Sequence, residues 1–158
     1  MDRPATVPVA PPMVAGPSAK AIHAELLAAE RLVLLKYSHS PAIAEWTDAM
    51  DAVLADGVYR TGFSFLLDLR GNRPGPSRML IAAMLHYLDV HQESFRGARW
   101  ALVVDSPGAY RMAIAGQNLA TDLPLELAVF QGRTPDRALR WLRRIGATTT
   151  SEPILHFA

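Results

Sequence analysis

The sequence predicts one α/β domain with a mixed, mostly parallel sheet and the element order β-β-α-β-α-β-α-β-α. Short apolar runs alternate with longer segments whose apolar residues recur at helical spacing, which indicates parallel strands joined by right-handed crossovers. The chain has 158 residues, a length that fits one domain. It contains no cysteine, which excludes disulfides, thiolate catalysis and cysteine-based metal sites.

The strands are predicted from their apolar runs. The first two lie at residues 21–28 and 31–37, and Ala29-Glu30 between them is short enough for a hairpin. We expect the first strand to pair antiparallel at one side of the sheet. The second is continuous in Leu and Val at residues 32–35, as expected of a central strand covered on both faces. The later strands are predicted at residues 63–69, 99–104 and 125–130.

Each helix is predicted from a start signal and an apolar stripe. Ser40 is a good N-cap and Pro41 a good first position for the first helix. Ser77 caps a second helix that extends to about Ser94. Pro107 starts the third helix and Thr134-Pro135 the last. The first two helices carry apolar stripes at Ile43, Trp46, Met50, Val53 and Leu54, and at Leu80, Ile81, Met84, Leu85 and Leu88.

The domain is predicted to span residues 19–146, between a proline-rich extended arm at residues 1–18 and a tail at residues 147–158. Prolines interrupt the apolar stretch of the arm, so we do not expect it to be a secretory signal. No apolar run reaches the roughly 18 residues that cross a bilayer. We therefore expect no membrane span and a location in the cytoplasm.

Charge and motifs argue against nucleic acid and against catalysis. The chain has 16 Lys+Arg and 15 Asp+Glu, a formal net charge of +1, without the basic excess that phosphate backbones require. It has no phosphate-binding glycine loop, and Ser64 lacks the second glycine of a nucleophile elbow. His86 and His91 are five residues apart and face different ways on a helix, which disfavours a metal trio with Asp89. We expect no enzyme activity, no metal and no cofactor.

The candidate site is the set of loops at the carboxyl ends of the parallel strands, where ligands meet such sheets. Helix N-termini and arginines there could hold a small anion, a phosphoryl group or a carboxylate of a partner. The loops could equally form an ordinary solvated edge, with Ser77 acting only as a helix cap. The candidate residues for binding a ligand or partner are Asp68, Arg70, Arg73, Ser77, Arg78, Asp105, Ser106, Tyr110 and Arg133.

The element order resembles the STAS fold, and local motifs resemble its SpoIIAA-like branch, which is also similar to CRAL-TRIO-type lipid-carrier domains. The resemblance covers about residues 20–146. It rests on the strand end at residues 66–70, the segment at residues 103–110, and Val129-Phe130 followed by residues 138–142. In anti-sigma factor antagonists a partner kinase phosphorylates a serine that opens the helix after the third strand. The resemblance therefore implies that Ser77 is a possible phosphorylation site, although the family's Asp-Ser-Ser/Thr-Gly element is replaced here by Gly75-Pro76-Ser77-Arg78.

Three hypotheses about function follow. The first is a regulatory or scaffold domain that binds a protein partner through the loop edge and the second helix. The second is a carrier or sensor of a small apolar, amphipathic or anionic ligand, suggested by the apolar second helix beside an arginine-rich loop. The third is an enzyme in which Asp68 and Asp105 serve as acid and base. The sequence also leaves a homo-oligomer open.

Overall fold

The computed structural model describes residues 20–73 and 75–144. The predicted arm at residues 1–18 and the predicted tail at residues 147–158 lie outside the described residues. Within the described ranges, no helix is long and apolar enough to cross a membrane.

Five strands form one sheet in which the spatial order of the strands equals their order in the chain. They are β1 (Ile22–Leu27), β2 (Leu32–Tyr37), β3 (Ser64–Asp68), β4 (Arg99–Val104) and β5 (Glu126–Gln131). β1 pairs antiparallel with β2, whereas β2, β3, β4 and β5 pair in parallel. The predicted mixed, mostly parallel sheet is confirmed, including the antiparallel first strand.

The helices follow the predicted alternation with two differences in extent. They are α1 (Ile43–Ala55), α2 (Arg78–Val90), the short α3 (Gln92–Phe95), α4 (Pro107–Leu119) and α5 (Asp136–Arg143). The prediction of one second helix extending to Ser94 was wrong, because the helix ends at Val90 and His91 leaves helical geometry at φ −103° and ψ 23°. The ring of His91 lies against that of Tyr87, with centroids 4.3 Å apart.

The predicted start of the first helix at Ser40 was also wrong. α1 begins at Ile43, and the Glu45 side chain accepts a hydrogen bond of 2.8 Å from the backbone N–H of Ala42. The Ser40 hydroxyl instead donates to the carbonyl of Gly75 at 3.0 Å. A long-range bond therefore takes the place of the local cap, and it ties the start of α1 to the loop before α2.

The β1–β2 connection is longer than the predicted dipeptide. Residues Ala28–Glu30 form one 3₁₀ turn, and Arg31 has the left-handed conformation with φ 50°. The dipeptide Ala29-Glu30 lacks the Asn-Gly chemistry that a two-residue turn favours. The Arg31 guanidinium lies over the ring of Phe63, 5.7 Å from its centroid.

The core has two layers, one on each face of the sheet. The larger lies under α1, α2 and α4, and the smaller lies under α5. Period-two alternation supplies both layers, since Phe65 and Leu67 belong to the larger layer and Leu66 to the smaller. Trp100, the second residue of β4, is 1% exposed and stacks on Phe65 with centroids 4.4 Å apart.

Candidate functional site

Bonds between loops hold together the carboxyl ends of β3, β4 and β5. We call this surface the three-loop edge, defined by residues 69–73, 75–77, 105–106 and 132–135. Arg70 donates two hydrogen bonds to Asp68, from Nε at 2.8 Å and from Nη2 at 2.7 Å. It also donates from Nη1 to the carbonyl of Arg133. One guanidinium therefore links the β3–α2 loop to the β5–α5 loop.

Asp105 makes the second link, from the β4–α4 loop to the β3–α2 loop. Its Oδ2 accepts from the backbone N–H of Gly71 at 3.0 Å, and its Oδ1 accepts from Nη1 of Arg73 at 3.1 Å. Gly71 has φ +74°, a conformation that glycine adopts without steric cost and other residues rarely adopt. The glycine thus allows the turn that brings its N–H to Asp105.

These contacts keep both aspartates ionised. Partial burial of Asp68 favours a higher pKa, but its hydrogen bonds and ion pair with Arg70 prevail, and its pKa lies below the ordinary value of 3.8. The N–H of Gly71 lowers the pKa of Asp105, partial desolvation opposes this, and Arg73 lowers it further, so its pKa also lies below 3.8. Neither carboxyl group has the raised pKa that a general acid needs at neutral pH.

Ser77 and Ser106 both cap helices. The Ser77 hydroxyl accepts from the N–H of Leu80 at 3.1 Å, and the Ser106 hydroxyl accepts from the N–H of Ala109 at 3.3 Å. The prediction that Ser77 caps the second helix is confirmed. Tyr110 is half-buried against the larger core layer.

The structure thus brings the predicted site residues together only in part. Asp68, Arg70 and Arg133 form one cluster, whereas Arg73 and Asp105 form another. Arg78 joins neither and lies exposed at the start of α2. Two of the four candidate arginines, Arg70 and Arg73, are therefore neutralised by carboxylates, which weakens their attraction for an added anion.

A groove between α2 and α4 was not predicted from the sequence. It begins beside the three-loop edge, because both helices start there. We call it the α2–α4 groove; its volume is about 620 Å³, and it is lined by Arg78, Ile81, Ala82, Gly108, Arg111, Met112, Ala115, Gly116 and Leu119. Within the described residues, neither Arg78 nor Arg111 makes an ion pair. The floor between Arg78 and Arg111 is largely apolar.

A cavity of about 60 Å³, partly open to the surface, lies beside this groove, between α2, α4 and the sheet, and we call it the interior cavity. Its walls are almost wholly apolar. Asn72 and Trp100 are among the lining residues, but the Asn72 carboxamide and the Trp100 indole nitrogen, which have no hydrogen-bond partner among the described residues, contribute almost no surface to the cavity. Ile81 and Gly116 line both the cavity and the groove, so the two adjoin at these residues. A Cβ placed on Gly116 would lie 3.4 Å from Cγ2 of Ile81.

The sequence indicated the close packing at Gly116 but not the burial of Asn72. Gly116 is an isolated glycine within a predicted helix, a pattern that indicates close packing against a neighbour. Asn72 lies in a loop rich in Gly and Pro, where asparagine is an ordinary turn residue. Its burial follows from how the loop turns inward, which composition does not reveal.

The ion pair of Asp68 predicts how stability depends on pH. Because the folded pKa lies below 3.8, the contribution of Asp68 is complete above that pH and is lost as pH falls through the folded pKa. We expect Asp68→Asn to lower the free energy of unfolding at pH 7 by about 1–3 kcal/mol. We also expect it to flatten the decline in stability below pH 4.

Urea denaturation between about pH 2 and pH 7 measures both effects. Asp122→Asn is the matched control, because Asp122 is exposed and makes no ion pair within the described residues. Equal pH dependence in the two variants would contradict the role of the Asp68–Arg70 pair.

No protein-family model matches the chain, and no curated protein or solved structure matches it either. Within residues 20–73 and 75–144, no group of three or more His, Cys, Asp or Glu residues could hold a metal ion. The fold and the site define an α/β domain with a cross-linked loop edge, an adjoining groove and an interior cavity. Function is therefore argued from these three features.

Proposed function

We propose that this domain is a non-catalytic regulatory domain that binds a partner protein through the α2–α4 groove and the adjoining three-loop edge. The observation that carries the proposal is the apolar groove with two unpaired arginines, Arg78 and Arg111. Protein interfaces combine an apolar centre with a polar rim, and arginine is enriched among the residues that dominate binding energy. The partner segment that fits is an amphipathic helix with apolar residues beside Asp or Glu.

The rigidity of the edge supports the same role. The bonds from Arg70 to Arg133 and from Gly71 and Arg73 to Asp105 hold the three loops in one arrangement before any partner arrives. A surface ordered in advance loses less conformational entropy on association, which favours binding. The resemblance of the element order to STAS domains, whose anti-sigma factor antagonists act through partner proteins, also supports the proposal. We propose the cytoplasm as its location, which the absence of cysteine supports.

The aspartates support a non-catalytic role. Acid–base catalysis by two carboxyl groups needs environments that push their pKa values apart, with one raised toward neutrality. Asp68 and Asp105 both have lowered pKa values because cations and N–H groups hold the charged forms. Both carboxylates join loops to one another, and this structural role explains their presence at the edge without a catalytic role.

A carrier of a lipid is the weaker alternative. Pockets for drug-sized ligands have volumes of about 300–1,000 Å³. The interior cavity has about 60 Å³, so an acyl chain would require α2 to move away from the sheet. The hypothesis of an anionic ligand is weakened for a different reason. Arg70 and Arg73, which would attract the anion, already pair with Asp68 and Asp105.

The test compares charge reversal on the groove with charge reversal elsewhere. The double variant Arg78→Glu/Arg111→Glu is immobilised beside the wild type and exposed to lysate of the source organism. We expect a stoichiometric partner of the wild type to bind this variant at least about tenfold more weakly, because each arginine is placed to act as an interface anchor. The bound fraction is quantified by mass spectrometry and then by titration with the purified partner.

The matched control is Arg137→Glu/Arg140→Glu, which makes the same change of charge on α5. Both residues are exposed, and α5 covers the opposite face of the sheet. This control should retain the partner. Equal retention by both double variants, or the absence of any stoichiometric partner, would overturn the proposal.

A further inference from the structure

The face of the sheet that carries α5 is only partly covered by the described residues. Within residues 20–73 and 75–144, α5 packs mainly on β3, β4 and β5, and the same face of β1 and β2 lies beside the helix. We propose that this part of the face is the docking surface for the segment of the chain that follows α5, residues 145–158. It lies on the opposite side of the sheet from the α2–α4 groove, so the inference does not rest on the proposed function.

A groove runs along this face between α5 and β2. We call it the α5–β2 groove; its volume is about 280 Å³, and its wall is largely apolar. Leu32 and Leu34 of β2 and Leu27 of β1 line it from the sheet, and Leu139 lines it from α5. Leu34 and Leu139 are only half-buried by the described residues. Because removal of apolar surface from water is favourable, an apolar segment of chain would gain free energy by covering this strip.

The chain leaves α5 at one end of the α5–β2 groove. Nη2 of Arg143 donates to Oε2 of Glu30 at 3.0 Å, which ties the end of α5 to the β1–β2 connection beside Leu32. Pro135, just before α5, and Asp68, at the end of β3, line the groove at its other end. The helix therefore runs the length of the groove, and the segment that follows it begins at the Leu32 end.

The segment is long enough to return along the groove. From Leu32 to Lys36 the strand β2 rises about 13 Å, at about 3.3 Å per residue. Residues 145–157 span about 43–47 Å when fully extended. The chain must reverse direction after α5, and this reach leaves ample length for the turn. An extended segment would then run beside β2 from its Leu32 end toward Lys36.

The composition of the segment matches the wall of the groove. Its second half contains Ile154, Leu155 and Phe157. In an extended chain, residues two apart share a face, so Leu155 and Phe157 would both lie on the groove. Glu152 is the one acidic residue of the segment. Lys36 lines the groove, is exposed and makes no ion pair within the described residues, so it offers this carboxylate a cation.

The experiment places a nitroxide label on Ser151→Cys in the full chain. Because the chain contains no cysteine, the label attaches at this position alone. ¹H–¹⁵N NMR then compares backbone amide peaks with the label oxidised and reduced. We expect the amides of Leu34 and Leu139, which we call the groove amides, to lose most of their intensity with the oxidised label. The amides of Arg78 and Arg111, on the opposite face of the sheet, should retain theirs.

Two double variants of the labelled chain show whether apolar contact holds the segment. Leu155→Asp/Phe157→Asp should release it, because the new carboxylates would lose their hydration in an apolar groove. The groove amides should then regain their intensity. Thr148→Asp/Thr150→Asp makes the same change of charge outside the apolar run and should leave the broadening in place. Both variants leave residues 20–144 unaltered, so the fold of the domain is the same in each comparison.

Further samples identify which segment lies on the groove. Broadening confined to the labelled chain, and abolished only by Leu155→Asp/Phe157→Asp, would support the proposal. Broadening in ¹⁵N chains that carry no nitroxide, mixed with nitroxide-labelled chains, would assign the groove to a second copy and overturn it. Broadening from a label on Ala15→Cys in place of Ser151→Cys would assign the groove to the N-terminal segment. That result, equal broadening in both double variants, or no broadening at all would also contradict it.

Discussion

Replacing Trp100 with alanine is expected to lower the free energy of unfolding by about 3–5 kcal/mol. Trp100 is 1% exposed, stacks on Phe65 and meets Phe95 edge-on with centroids 5.5 Å apart. Its removal would leave a void between the sheet and the helices that the neighbouring rings cannot fill. Small domains have a net stability of about 5–15 kcal/mol, so this single change removes a large part of it. Urea denaturation followed by circular dichroism measures the loss.

Trp141→Ala is the matched control for this prediction. Trp141 is half-buried on the other face of the sheet, with its ring 5.8 Å from Phe130 and the guanidinium of Arg99 5.1 Å above it. The loss of these ring contacts should cost about 1–2 kcal/mol. A Trp141 variant as unstable as the Trp100 variant would contradict the assignment of Trp100 to the main core.

Asn72→Leu is expected to have the opposite effect and to raise the free energy of unfolding by about 1–3 kcal/mol. The variant removes a buried carboxamide that has no partner among the described residues, and leaving such a group unpaired costs about this much. The turn itself survives because the backbone of Asn72 makes its own bonds with Leu69 and Arg73. Urea denaturation of the purified protein measures the gain.

Asn118→Leu provides the comparison, because Asn118 is exposed on α4 and its substitution should change stability by less than about 0.5 kcal/mol. A loss of stability in Asn72→Leu would show that the carboxamide has a partner in solution that stabilises the fold.

The fold was largely predictable because its signals are local. Helical spacing, start residues and apolar runs lie within single elements, and the predicted alternation and the antiparallel first strand were confirmed. One error arose where a long-range contact prevailed, because Ser40 bonds to the carbonyl of Gly75 instead of capping α1. Another was the end of the second helix, which stops at Val90.

The site was predictable only as a set of loops. The sequence placed Asp68, Arg70 and Asp105 at one edge, because parallel strands end together. It could not show which charges pair, since the Arg73–Asp105 contact joins residues 32 positions apart. Arg111 was not among the candidate residues. It lines the α2–α4 groove only because α4 packs beside α2, which the sequence of α4 alone does not reveal.

The order of the strands bears on how the sheet is built during synthesis. Each parallel strand pairs with the strand that precedes it in the chain, so the sheet can grow in the order in which the ribosome releases it. Until β5 emerges, β4 is the open edge of the growing sheet. Its residues from Trp100 to Val104 are all buried in the complete domain. A nascent chain that ends between α4 and β5 therefore exposes an apolar strand edge, which is a surface prone to aggregation.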